Sequence, residues 1–561
     1  MDSTQGENTS TSSAQVCQNC KQNFSITPED RAMYDRVDIP VPGHCPACNW
    51  SRLLAFWNLG RFRVGVSALS GKRIITNLPE SAPFPIYDRE EFISDAWDPM
   101  TYGQDYDPSK TFLDQLATLQ SKVPHPHQIA SRNTNCDWAD DWWESRECYL
   151  CRSGIHNEFL NYAYRVTGSK ECVDISHSFD MEQSYDCLYC FKCWKLRYSF
   201  NCHDCVDSWF LYDCRNCTNC FMSWNLRNKQ YCILNVQYTK EEYFEKLKQY
   251  NLKSYAAVNQ LKQQLKCKIA SEAVHRATLS VQTTNSSGNF LAETKGCIDC
   301  HFLDKAEGCR QVLRGYSAKD SIESICCMSE GATRTALDQM GYGNACVLNV
   351  NNCRYSFYLD ACEDCEYCFG CVSLKKKKYC ILNKQYTKEQ YEELVSKIKD
   401  AMQASGEWGE FVPFSMAYGG YNTSFAQVLF PKTKEEALAM GAKWEDTPTP
   451  IYEGAISSDE LPDSIDAVTD DIVKQRIICV ETKLSYNIAP RELAFYKTHG
   501  IPLPQRHFDF RTFDGYKLMA LMFRPQRGTC YYCKADVEHY YDPSLGYQKI
   551  ACVSCYQKEI A

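Results

Sequence analysis

The sequence predicts a mainly β protein. Cysteine-laddered, β-solenoid-like repeats form two copies, each followed by a capping helix, and paired cysteine-framed modules flank them at both ends. Three observations predict this fold class. Cysteine makes up 35 of the 561 residues. Cys-x-x-Cys motifs occur in two pairs, one near each end of the chain. The central region repeats internally, with cysteine in fixed columns.

The first module is framed by Cys17-x2-Cys20 and Cys45-x2-Cys48, which enclose a 24-residue loop. Each motif places two thiolates on one tight turn, and two such turns complete a tetrahedral zinc site. The final module repeats this arrangement with Cys530, Cys533, Cys552 and Cys555. The sequence therefore predicts two structural zinc ribbons. A catalytic zinc would need an open coordination position, which four cysteines do not leave.

Each metal-binding ribbon is predicted to have a degenerate partner. Residues 23–45 align with residues 484–507, and this register places the four N-terminal cysteines on Cys479, Thr482, His507 and Phe510. A weaker match places the four C-terminal cysteines on Val66, Leu69, Asp88 and Glu91. We therefore expect zinc-ribbon pairs at residues 17–100 and 476–561, in which the first and the last ribbon hold metal.

The repeat body is clearest between Ala163 and Gln237, which divide into five lines of fifteen residues. The tenth column of these lines is always cysteine, namely Cys172, Cys187, Cys202, Cys217 and Cys232. The thirteenth column adds Cys190, Cys205 and Cys220. Columns of this kind are expected where the coils of a solenoid stack at a strand spacing of about 4.8 Å. The pattern therefore favours a β-solenoid over a helical repeat.

A second copy of the repeat follows the first. The stretch that begins at Ser223 recurs from Cys371, displaced by 148 residues, although the cysteine phase slips upstream of Asn344. Both copies end with a capping box, Thr239-x-x-Glu242 and Thr387-x-x-Gln390, which predicts a helix that covers the open strand edge.

These features predict an order of segments along the chain. A disordered tail (1–16) precedes the first ribbon pair, and a helical linker (101–135) leads to solenoid 1 (136–237) with its capping helix (238–270). Solenoid 2 (271–385) follows with its own capping helix (386–405). A second linker (406–475) then leads to the final ribbon pair.

The ladder cysteines allow four interpretations. Cysteine is a small and mostly buried side chain that stacks well on itself, so the thiols can be structural. They can also bind zinc or copper across neighbouring rungs. An iron–sulfur cluster is disfavoured because Cys187-x2-Cys190-x2-Cys193 lacks the fourth ligand and following proline of a ferredoxin motif. Disulfides between rungs are disfavoured in a reducing compartment.

Charge and composition narrow the classes of partner. The net charge of -9 argues against a protein that coats nucleic acid or an anionic membrane. No apolar run is long enough to cross a bilayer, and the first sixteen residues lack the features of a secretion signal, so we expect a cytoplasmic protein. The best candidates for nucleic-acid contact form a basic edge of the first ribbon pair: Arg52, Arg61, Arg63, Lys72 and Arg73.

Enzyme signals are weak, and we predict that the chain is not an enzyme. No phosphate loop, dinucleotide fingerprint or nucleophile motif occurs. The segment from Pro124 to His127 is interpreted as an exposed turn, and the tryptophans between Asp137 and Glu144 are expected to pack on the end of the repeat body. No small-molecule substrate is evident.

The block CQNCKQNFSITPEDRAMYDRVDIPVPGHCPAC resembles a bacterial zinc-ribbon domain. The order of this ribbon, cysteine-rich repeats, YCILNKQYTKE, GEWGEF and a terminal CVSCYQKE resembles uncharacterised zinc-ribbon, cysteine-rich repeat proteins of candidate-phyla bacteria. The likeness covers nearly the whole chain, and it departs upstream of Asn344. It implies the architecture but no activity.

The leading functional hypothesis is a zinc-binding structural scaffold or adaptor that binds a protein partner or a second copy of itself. One alternative is a nucleic-acid or ribosome-associated zinc-ribbon protein, which would bind through the basic edge. A second alternative is metal or redox buffering by the cysteine-rich body.

Overall fold

The structure is a computed structural model, and it describes residues 13–446, 452–516, 518–519 and 524–560. These residues contain more strand (31%) than helix (26%). The chain divides into two units, and each unit combines two separate segments. The first unit comprises residues 1–127 and 279–445, and the second comprises residues 128–278 and 446–561. Each unit therefore contains one terminal pair of modules together with the repeat body that is distant from it in sequence.

The second unit is built on a long sheet of eleven strands, parallel except for its final pair. Successive parallel strands pair with a displacement of twelve residues, as in Trp194↔Val206 and Leu211↔Ser223. The strands are Ala130–Ser131, Ala139–Trp143, Cys151–Ile155, Tyr164–Thr167, Val173–Phe179, Tyr185–Leu188, Trp194–Phe200, Val206–Tyr212, Phe221–Trp224, Cys232–Ile233 and Val236–Gln237.

The fifteen-residue period predicted from the sequence is wrong, because the hydrogen-bonded register is twelve residues. Residues with left-handed backbone recur at multiples of three along this body, as at Lys192, Lys195, Tyr198 and Asn201. Four bends therefore separate a residue from its partner in the next strand. Interior positions also recur every three residues, so steps of twelve and fifteen both keep cysteine inside. Sequence columns alone do not distinguish them.

The interior of this body is a continuous core in which every buried member falls in the same phase of the three-residue period. It includes Trp142, Leu160, Val166, Ile175, Leu196 and Leu211 together with Cys136, Cys148, Cys151, Cys172, Cys187, Cys190, Cys193, Cys202, Cys205, Cys214, Cys217, Cys220 and Cys232. Cysteine is therefore the commonest side chain in this core.

The first unit contains a six-stranded parallel sheet and a three-stranded sheet. The six strands are Gly288–Ala292, Cys300–Asp304, Arg310–Tyr316, Ile322–Glu330, Ala336–Tyr342 and Leu348–Asn351, and the three are Glu366–Phe369, Lys378–Ile381 and Lys384–Gln385. Most pairs keep the twelve-residue displacement, as in Cys368↔Cys380.

The cysteine phase slip upstream of Asn344 has a local cause. Ile325 pairs with Ala336, a step of eleven residues, and the register shifts between Met328 and Glu330. One residue is missing from this coil, so the interior phase moves by one position and the sheet continues. A second step of eleven residues occurs farther upstream, where Val281 pairs with Ala292 and Thr284 with Lys295, so the register slips at two places in this body.

Both predicted capping boxes are formed. The hydroxyl of Thr239 accepts a hydrogen bond from the backbone of Glu242, and the Glu242 carboxylate accepts one from the backbone of Thr239. Thr387 and Gln390 make the same pair of contacts. The α-helices of the described residues are Pro28–Arg36, Pro46–Ala55, Arg89–Ile93, Phe112–Gln120, Lys240–Leu247, Tyr255–Glu272, Lys388–Ser405, Phe425–Leu429, Lys434–Ala439, Pro490–His499, Phe508–Tyr516 and Val553–Glu559.

The terminal modules contain short hairpins and isolated strand pairs. Their strands are Ser13–Val16, Asn23–Ile26, Arg63–Val66, Arg73–Thr76, Ile86–Tyr87, His125–Pro126, Val274–Arg276, Ile456–Ser457, Ile477–Ile478, Ser485–Tyr486, Gln526–Thr529, Asp536–His539 and Lys549–Ala551. The predicted tail of residues 1–16 is wrong at its end, because Ser13–Val16 pairs with Asn23–Ile26 and extends the hairpin of the first module. Residues 1–12 lie outside the described part of the chain.

Several predicted boundaries also move. The sheet of the second unit begins at Ala130 rather than at residue 136. The sheet of the first unit begins at Gly288 rather than at residue 271, because a helix continues to Glu272. The interpretation of residues 124–127 as an exposed turn is wrong. His125 is 1% exposed and His127 is 6% exposed, because the strand His125–Pro126 pairs with Ile86–Tyr87 beneath the second module. Within the described residues, no helix has both the length and the apolar character needed to cross a bilayer.

Candidate metal centres

The first candidate centre lies between a hairpin and a helix of the first unit. Cys17 and Cys20 occupy the turn that follows the strand Ser13–Val16, and the left-handed backbone of Lys21 closes this turn. Cys45 is the N-cap of the helix Pro46–Ala55, which places Cys48 in its first turn. The four Sγ atoms lie within 4.8 Å of one another. The spacing of the two motifs therefore brings together the group that it predicted.

Hydrogen bonds orient the sulfur atoms of this centre. The backbone N–H of Cys45 donates to the Sγ of Cys17 (3.2 Å), and the side-chain amide of Asn19 donates to the Sγ of Cys48 (3.3 Å). The Sγ atoms of Cys20 and Cys45 are 3.6 Å apart. N–H donors favour the thiolate form, which is the form that binds metal.

The second candidate centre has the same plan in the second unit. Cys530 and Cys533 follow the strand Gln526–Thr529, and Cys552 is the N-cap of the helix Val553–Glu559. The backbone N–H of Cys552 donates to the Sγ of Cys530 (3.3 Å), and the Sγ atoms of Cys533 and Cys552 are 3.9 Å apart. All four Sγ atoms, including that of Cys555, lie within 4.8 Å of one another.

The thiols of both centres have perturbed acidities. Hydrogen bonds from the side chain and backbone of Cys48 lower the pKa of Cys45 to about 4, although burial opposes this shift. Burial also opposes ionisation of Cys530, but N–H donors from Cys552 and Cys533 lower its pKa to about 6. Each centre therefore contains a sulfur that is ready to bind a cation at neutral pH.

The degenerate module of the second unit keeps the turn of the first centre but only one of its four cysteines, Cys479. The N–H of Cys479 donates to the carbonyl oxygen of Leu484 (2.8 Å), as that of Cys17 does to Gln22 (2.9 Å). The left-handed Lys483 occupies the position of Lys21. Thr482, His507 and Phe510 follow the alignment predicted from the sequence.

A buried thiol, Cys479, and a buried ion pair are found at the degenerate module of the second unit. Burial alone would raise the pKa of the Cys479 thiol, but hydrogen bonds from the Thr482 side chain and the His507 backbone lower it. Nearby, Arg511 forms an ion pair with Asp174 of the parallel sheet, and both side chains are largely buried, with exposures of 14% and 7%. Packing against the sheet therefore takes the place of a metal centre.

The degenerate module of the first unit corresponds to the second centre. The N–H of Ser67 donates to the carbonyl oxygen of Lys72 (2.8 Å), as that of Cys530 does to Ala535 (2.8 Å). Gly71, with φ of 77°, holds the left-handed position of Lys534. The serines Ser67 and Ser70 therefore replace the first two cysteines of the centre, and the predicted match to Val66 and Leu69 is wrong by one residue. The matches to Asp88 and Glu91 agree with the structure.

Oxygen atoms and an ammonium group fill this module. The hydroxyl of Ser67 donates to a carboxylate oxygen of Glu91 and accepts from the backbone N–H of Asp88 (3.1 Å). The Lys72 Nζ lies 3.2 Å from the Asp88 carboxylate. Ser67, Ser70, Asp88 and Glu91 stand where the second unit has four thiols, and the ammonium group of Lys72 supplies positive charge at their edge.

The ladder thiols do not form comparable groups. Among the described residues, only the two terminal sets bring three or more candidate ligand atoms within 4.8 Å of one another. The ladder thiols instead act as hydrogen-bond donors to the backbone two residues before them. Cys190 donates to the carbonyl oxygen of Leu188 (3.4 Å), and Ser208 donates in the same way to Val206 (2.8 Å). Burial raises the pKa of Cys172 to about 12.

The five basic residues predicted to form an edge occupy different environments. Arg52 is anchored to Glu410 (3.1 Å) and is 14% exposed, and Lys72 is paired with Asp88. The Nε of Arg63 donates to the carbonyl oxygen of Leu78 (2.7 Å). Arg61 and Arg73 are exposed. These contacts reduce the charge that the ribbon pair presents, and a nucleic-acid interface here stays a prediction.

The contacts that fix each module to its sheet were not predicted. Trp50 donates from its indole N–H to the carbonyl oxygen of Gln311 (2.8 Å), and Asn49 donates to Glu323 (2.8 Å). In the second unit, Tyr162 donates to the carboxylate of Glu492 (2.8 Å). Glu492 aligns with Asp30, which is paired with Arg310 (3.4 Å). The acidic residue that the two aligned helices share was the sequence feature that could have predicted these contacts.

No protein-family model matches this chain, and no similar curated protein was found. The resemblance to candidate-phyla zinc-ribbon proteins therefore stays a prediction.

Proposed function

We propose that this protein is a zinc-stabilised scaffold in which two closed four-cysteine centres fix small modules to the faces of two β-solenoids. The observation that supports this proposal most directly is the grouping of all four sulfur atoms at each centre. A centre closed by four thiolates leaves no coordination position for substrate, so its contribution is to stability.

The donor set and its dimensions fit zinc. A tetrahedral ion with Zn–S bonds of about 2.3 Å separates neighbouring sulfur atoms by about 3.8 Å. The two Sγ–Sγ distances, 3.6 Å at Cys20–Cys45 and 3.9 Å at Cys533–Cys552, lie on either side of this value. Four soft sulfur ligands also disfavour magnesium, calcium and manganese. When bound, zinc would supply the cross-link between each hairpin and its helix.

The β-solenoid interpretation is supported by the twelve-residue register of parallel strands and by the bends at every third residue. Each coil in this interpretation has four short sides, and its inward side chains form the vertical ladders. A helix that begins with a capping box follows each body. Repeat proteins end a stack of strands with a covering element of this kind, which hides the open edge of the last strand.

We propose that the ladder thiols are structural rather than a metal or redox store. Each protonated thiol can donate to a backbone carbonyl inside the coil, as serine does at equivalent positions. The same carbonyl oxygens also accept a backbone N–H from the next strand, as Leu188 does from Asn201 (3.0 Å), so the thiol supplies a second hydrogen bond that metal binding would remove. Since both centres and ladders need reduced cysteine, a cytoplasmic location is part of this proposal.

The scaffold proposal includes a protein partner or a second copy of the chain. Its support is the apolar surface of the hairpins in two modules. Val64 is 50% exposed and Val66 is 66% exposed in the first unit, and Tyr531 is 43% exposed in the second. Val64 and Val66 lie on the same side of one strand, and contiguous exposed apolar surface is typical of interaction sites.

The proposal is tested by metal analysis and light scattering on the purified full-length chain. We expect two zinc ions per chain, and either a defined oligomer or a stable complex recovered by cross-linking in lysate. A matched double variant, Val64→Ser and Val66→Ser, should weaken that association and retain two zinc ions. Four or more metal ions per chain would contradict the structural role of the ladder, and a monomer without cross-linked partners would contradict the scaffold.

A further inference from the structure

Every terminal module contains a hairpin, and the first strand of each hairpin has an outer edge that faces away from its partner strand. In the second module of the first unit this strand is Arg63–Val66, which pairs with Arg73–Thr76 in a sheet of two strands. Among the described residues, no strand pairs with the outer edge of Arg63–Val66. An open strand edge carries N–H and C=O groups that can pair with another chain.

The register of the hairpin identifies which groups face this edge. Hydrogen-bonded and non-hydrogen-bonded pairs alternate along an antiparallel hairpin. The N–H of Ser67 donates to the carbonyl oxygen of Lys72 (2.8 Å), so Gly65 belongs to the next hydrogen-bonded pair. Val64 and Val66 therefore direct their N–H and C=O groups to the outer edge. Within the described ranges, no residue forms a hydrogen bond with these groups.

The outward residues of this edge have apolar side chains. Val64 and Val66 are at least half exposed, and they point to the same side of the strand. An open groove beside the strand is lined by these valines together with Gly65, Ile74 and Ile86. A strand added at this edge would therefore bury aliphatic surface in addition to pairing main-chain groups.

The leading module of the second unit shows what covers the equivalent edge there. Its hairpin strand, Ile477–Ile478, enters the turn at Cys479. A third strand, Ile456–Ser457, pairs in parallel with the outer edge of this strand. The backbone N–H of Ile456 donates to the carbonyl oxygen of Arg476 (3.0 Å). A hairpin of this kind therefore accepts an extended segment as a third strand.

The two edges correspond position by position. Arg476 and Ile478 lie three residues and one residue before the first residue of their turn. Val64 and Val66 hold the same two positions before Ser67. The Arg476 carbonyl, which accepts the third strand in the second unit, thus corresponds to the Val64 carbonyl at the open edge.

The two remaining hairpins present different side chains at these outward positions. In the last module the positions hold Arg527 and Thr529, and the Arg527 side chain is 90% exposed. Charged residues on an edge strand hinder pairing with another strand. In the leading module of the first unit the positions hold Ala14 and Val16. Of the hairpins whose outer edge is open, Arg63–Val66 is therefore the one with two large aliphatic residues.

We propose that the outer edge of Arg63–Val66 is the docking site for an extended segment of a protein partner, which adds to the hairpin as a third strand. Main-chain hydrogen bonds at Val64 and Val66 supply the pairing, and an aliphatic side chain of the segment lies beside Gly65. The orientation is parallel, as it is for Ile456–Ser457. This inference rests on the proposed scaffold function, because it specifies how the partner is held.

The chemistry of the segment follows from the covering strand and from the charge at the open edge. The covering strand has one aliphatic residue, Ile456, and is followed by Asp459 and Glu460. In the first unit the exposed Arg73 lies opposite Val66, on the same side of the hairpin. The segment that fits is therefore an aliphatic residue followed by small and acidic residues.

Peptide binding to the full-length zinc-loaded chain tests this docking mode. The probe is a labelled peptide with the sequence of residues 452–461, YEGAISSDEL, and its fluorescence anisotropy reports binding. Val66→Pro removes the outward N–H of this residue and no hydrogen bond within the hairpin. We expect this variant to weaken peptide binding by about tenfold or more. Its zinc content should stay at two ions per chain.

Two controls accompany this variant. Thr529→Pro, at the equivalent position of the last module, should change peptide binding by less than about twofold. A peptide that carries Ile456→Pro removes a main-chain donor from the probe, so no variant of the protein has to fold. It should bind the parent chain about tenfold more weakly or worse. The proposal is overturned if the unmodified peptide does not bind, or if Thr529→Pro weakens binding as much as Val66→Pro.

Failure of this inference can be told apart from failure of the scaffold proposal. A complex that is lost in the Val64→Ser/Val66→Ser variant and kept in Val66→Pro would overturn strand addition and leave the scaffold standing. A dimer of the purified chain that Val66→Pro dissociates would mean that a second copy covers the edge, which overturns the partner segment. Absence of any complex would contradict the scaffold, whereas peptide binding that Val66→Pro abolishes would still support the docking edge.

Discussion

Both units contain the same pair of modules, but the four cysteines lie in the leading module of the first unit and in the second module of the other. In the first unit the leading module has four cysteines and its neighbour has Ser67, Ser70, Asp88 and Glu91 at the corresponding positions. In the second unit the leading module has lost three of its cysteines and its neighbour has all four. All four turns nevertheless keep the same backbone hydrogen bond and a left-handed residue at the same position, which is lysine in three turns and Gly71 in the fourth. The turn geometry therefore does not depend on the thiols.

The two degenerate modules differ in the side chains that replace the thiols. The neighbour in the first unit has a partly exposed ion pair, Lys72 with Asp88. The leading module of the second unit has the buried pair Arg511–Asp174, which joins it to the parallel sheet. The two modules without four cysteines are thus held by charged contacts of their own. The two intact centres should be the modules that depend most on metal.

The largest effect is expected from removal of a ligand at an intact centre. Cys45→Ser removes the sulfur whose pKa is lowered to about 4 and should halve the zinc content to one ion per chain. Structural zinc contributes on the order of 10 kcal/mol to the folding of small modules, so the first module should unfold locally. Metal analysis and proteolysis between residues 13 and 60 would detect this change.

Cys479→Ser is the control for that experiment, because it alters the equivalent thiol of a degenerate module. It should leave two zinc ions per chain. Equal loss of zinc from both variants would show that intact and degenerate modules do not differ in metal binding.

The next largest effect is expected at the buried ion pair of the second unit. Arg511→Met leaves the Asp174 carboxylate buried without its cation, which typically destabilises by about 3–5 kcal/mol. Lys72→Met removes the partly exposed pair of the first unit and should cost about 1 kcal/mol or less. Calorimetric unfolding of the two variants measures the difference. Similar losses would show that the degenerate modules rely on packing rather than on charge.

A smaller, pH-dependent effect is expected at a buried carboxyl group of the first unit. Burial raises the pKa of Asp338 to about 7, and hydrogen bonds from Ser329 and Asn344 offset this only in part. The folded state then holds a proton that the unfolded state releases near pH 4. The contribution of Asp338 to stability should therefore be fully present below about pH 4, fall as the pH rises to about 7, and be lost above pH 7.

Asp338→Asn removes this dependence. At pH 8 it should stabilise the first unit by about 2–4 kcal/mol, and at pH 4 it should have little effect. Unfolding curves of both proteins at the two pH values decide the matter. A variant that is less stable than the parent at pH 8 would show that the carboxylate is compensated.

The sequence predicted the two centres because their ligands are local. Cys17 and Cys20 share one turn, and Cys45 and Cys48 share one helix N-terminus, so the spacing defines the geometry. Cys530, Cys533, Cys552 and Cys555 follow the same rule. The serine positions of the degenerate module were missed by one residue because Val66 and Ser67 are equally plausible there. Only the left-handed Gly71 distinguishes them.

The repeat period was missed for a different reason. Cys172 has a cysteine fifteen residues later, Cys187, but the backbone of Ser184, twelve residues later, donates to its sulfur. Interior positions recur every three residues, so sequence columns are satisfied by several multiples of three. Only inter-strand hydrogen bonds select one of them. The pairing of residues 1–127 with residues 279–445 depends on contacts such as Asp30–Arg310, which are distant in sequence and leave no periodic signal.

The most direct test of the account is cobalt substitution of the full-length chain. Tetrahedral cobalt bound by four thiolates gives a strong charge-transfer band, so the titration counts such centres. The account predicts saturation at two cobalt ions per chain and loss of the band in the double variant Cys48→Ser/Cys555→Ser. A band as strong in that variant as in the parent protein, or saturation well above two ions, would mean that ladder thiols bind metal and would contradict their structural role.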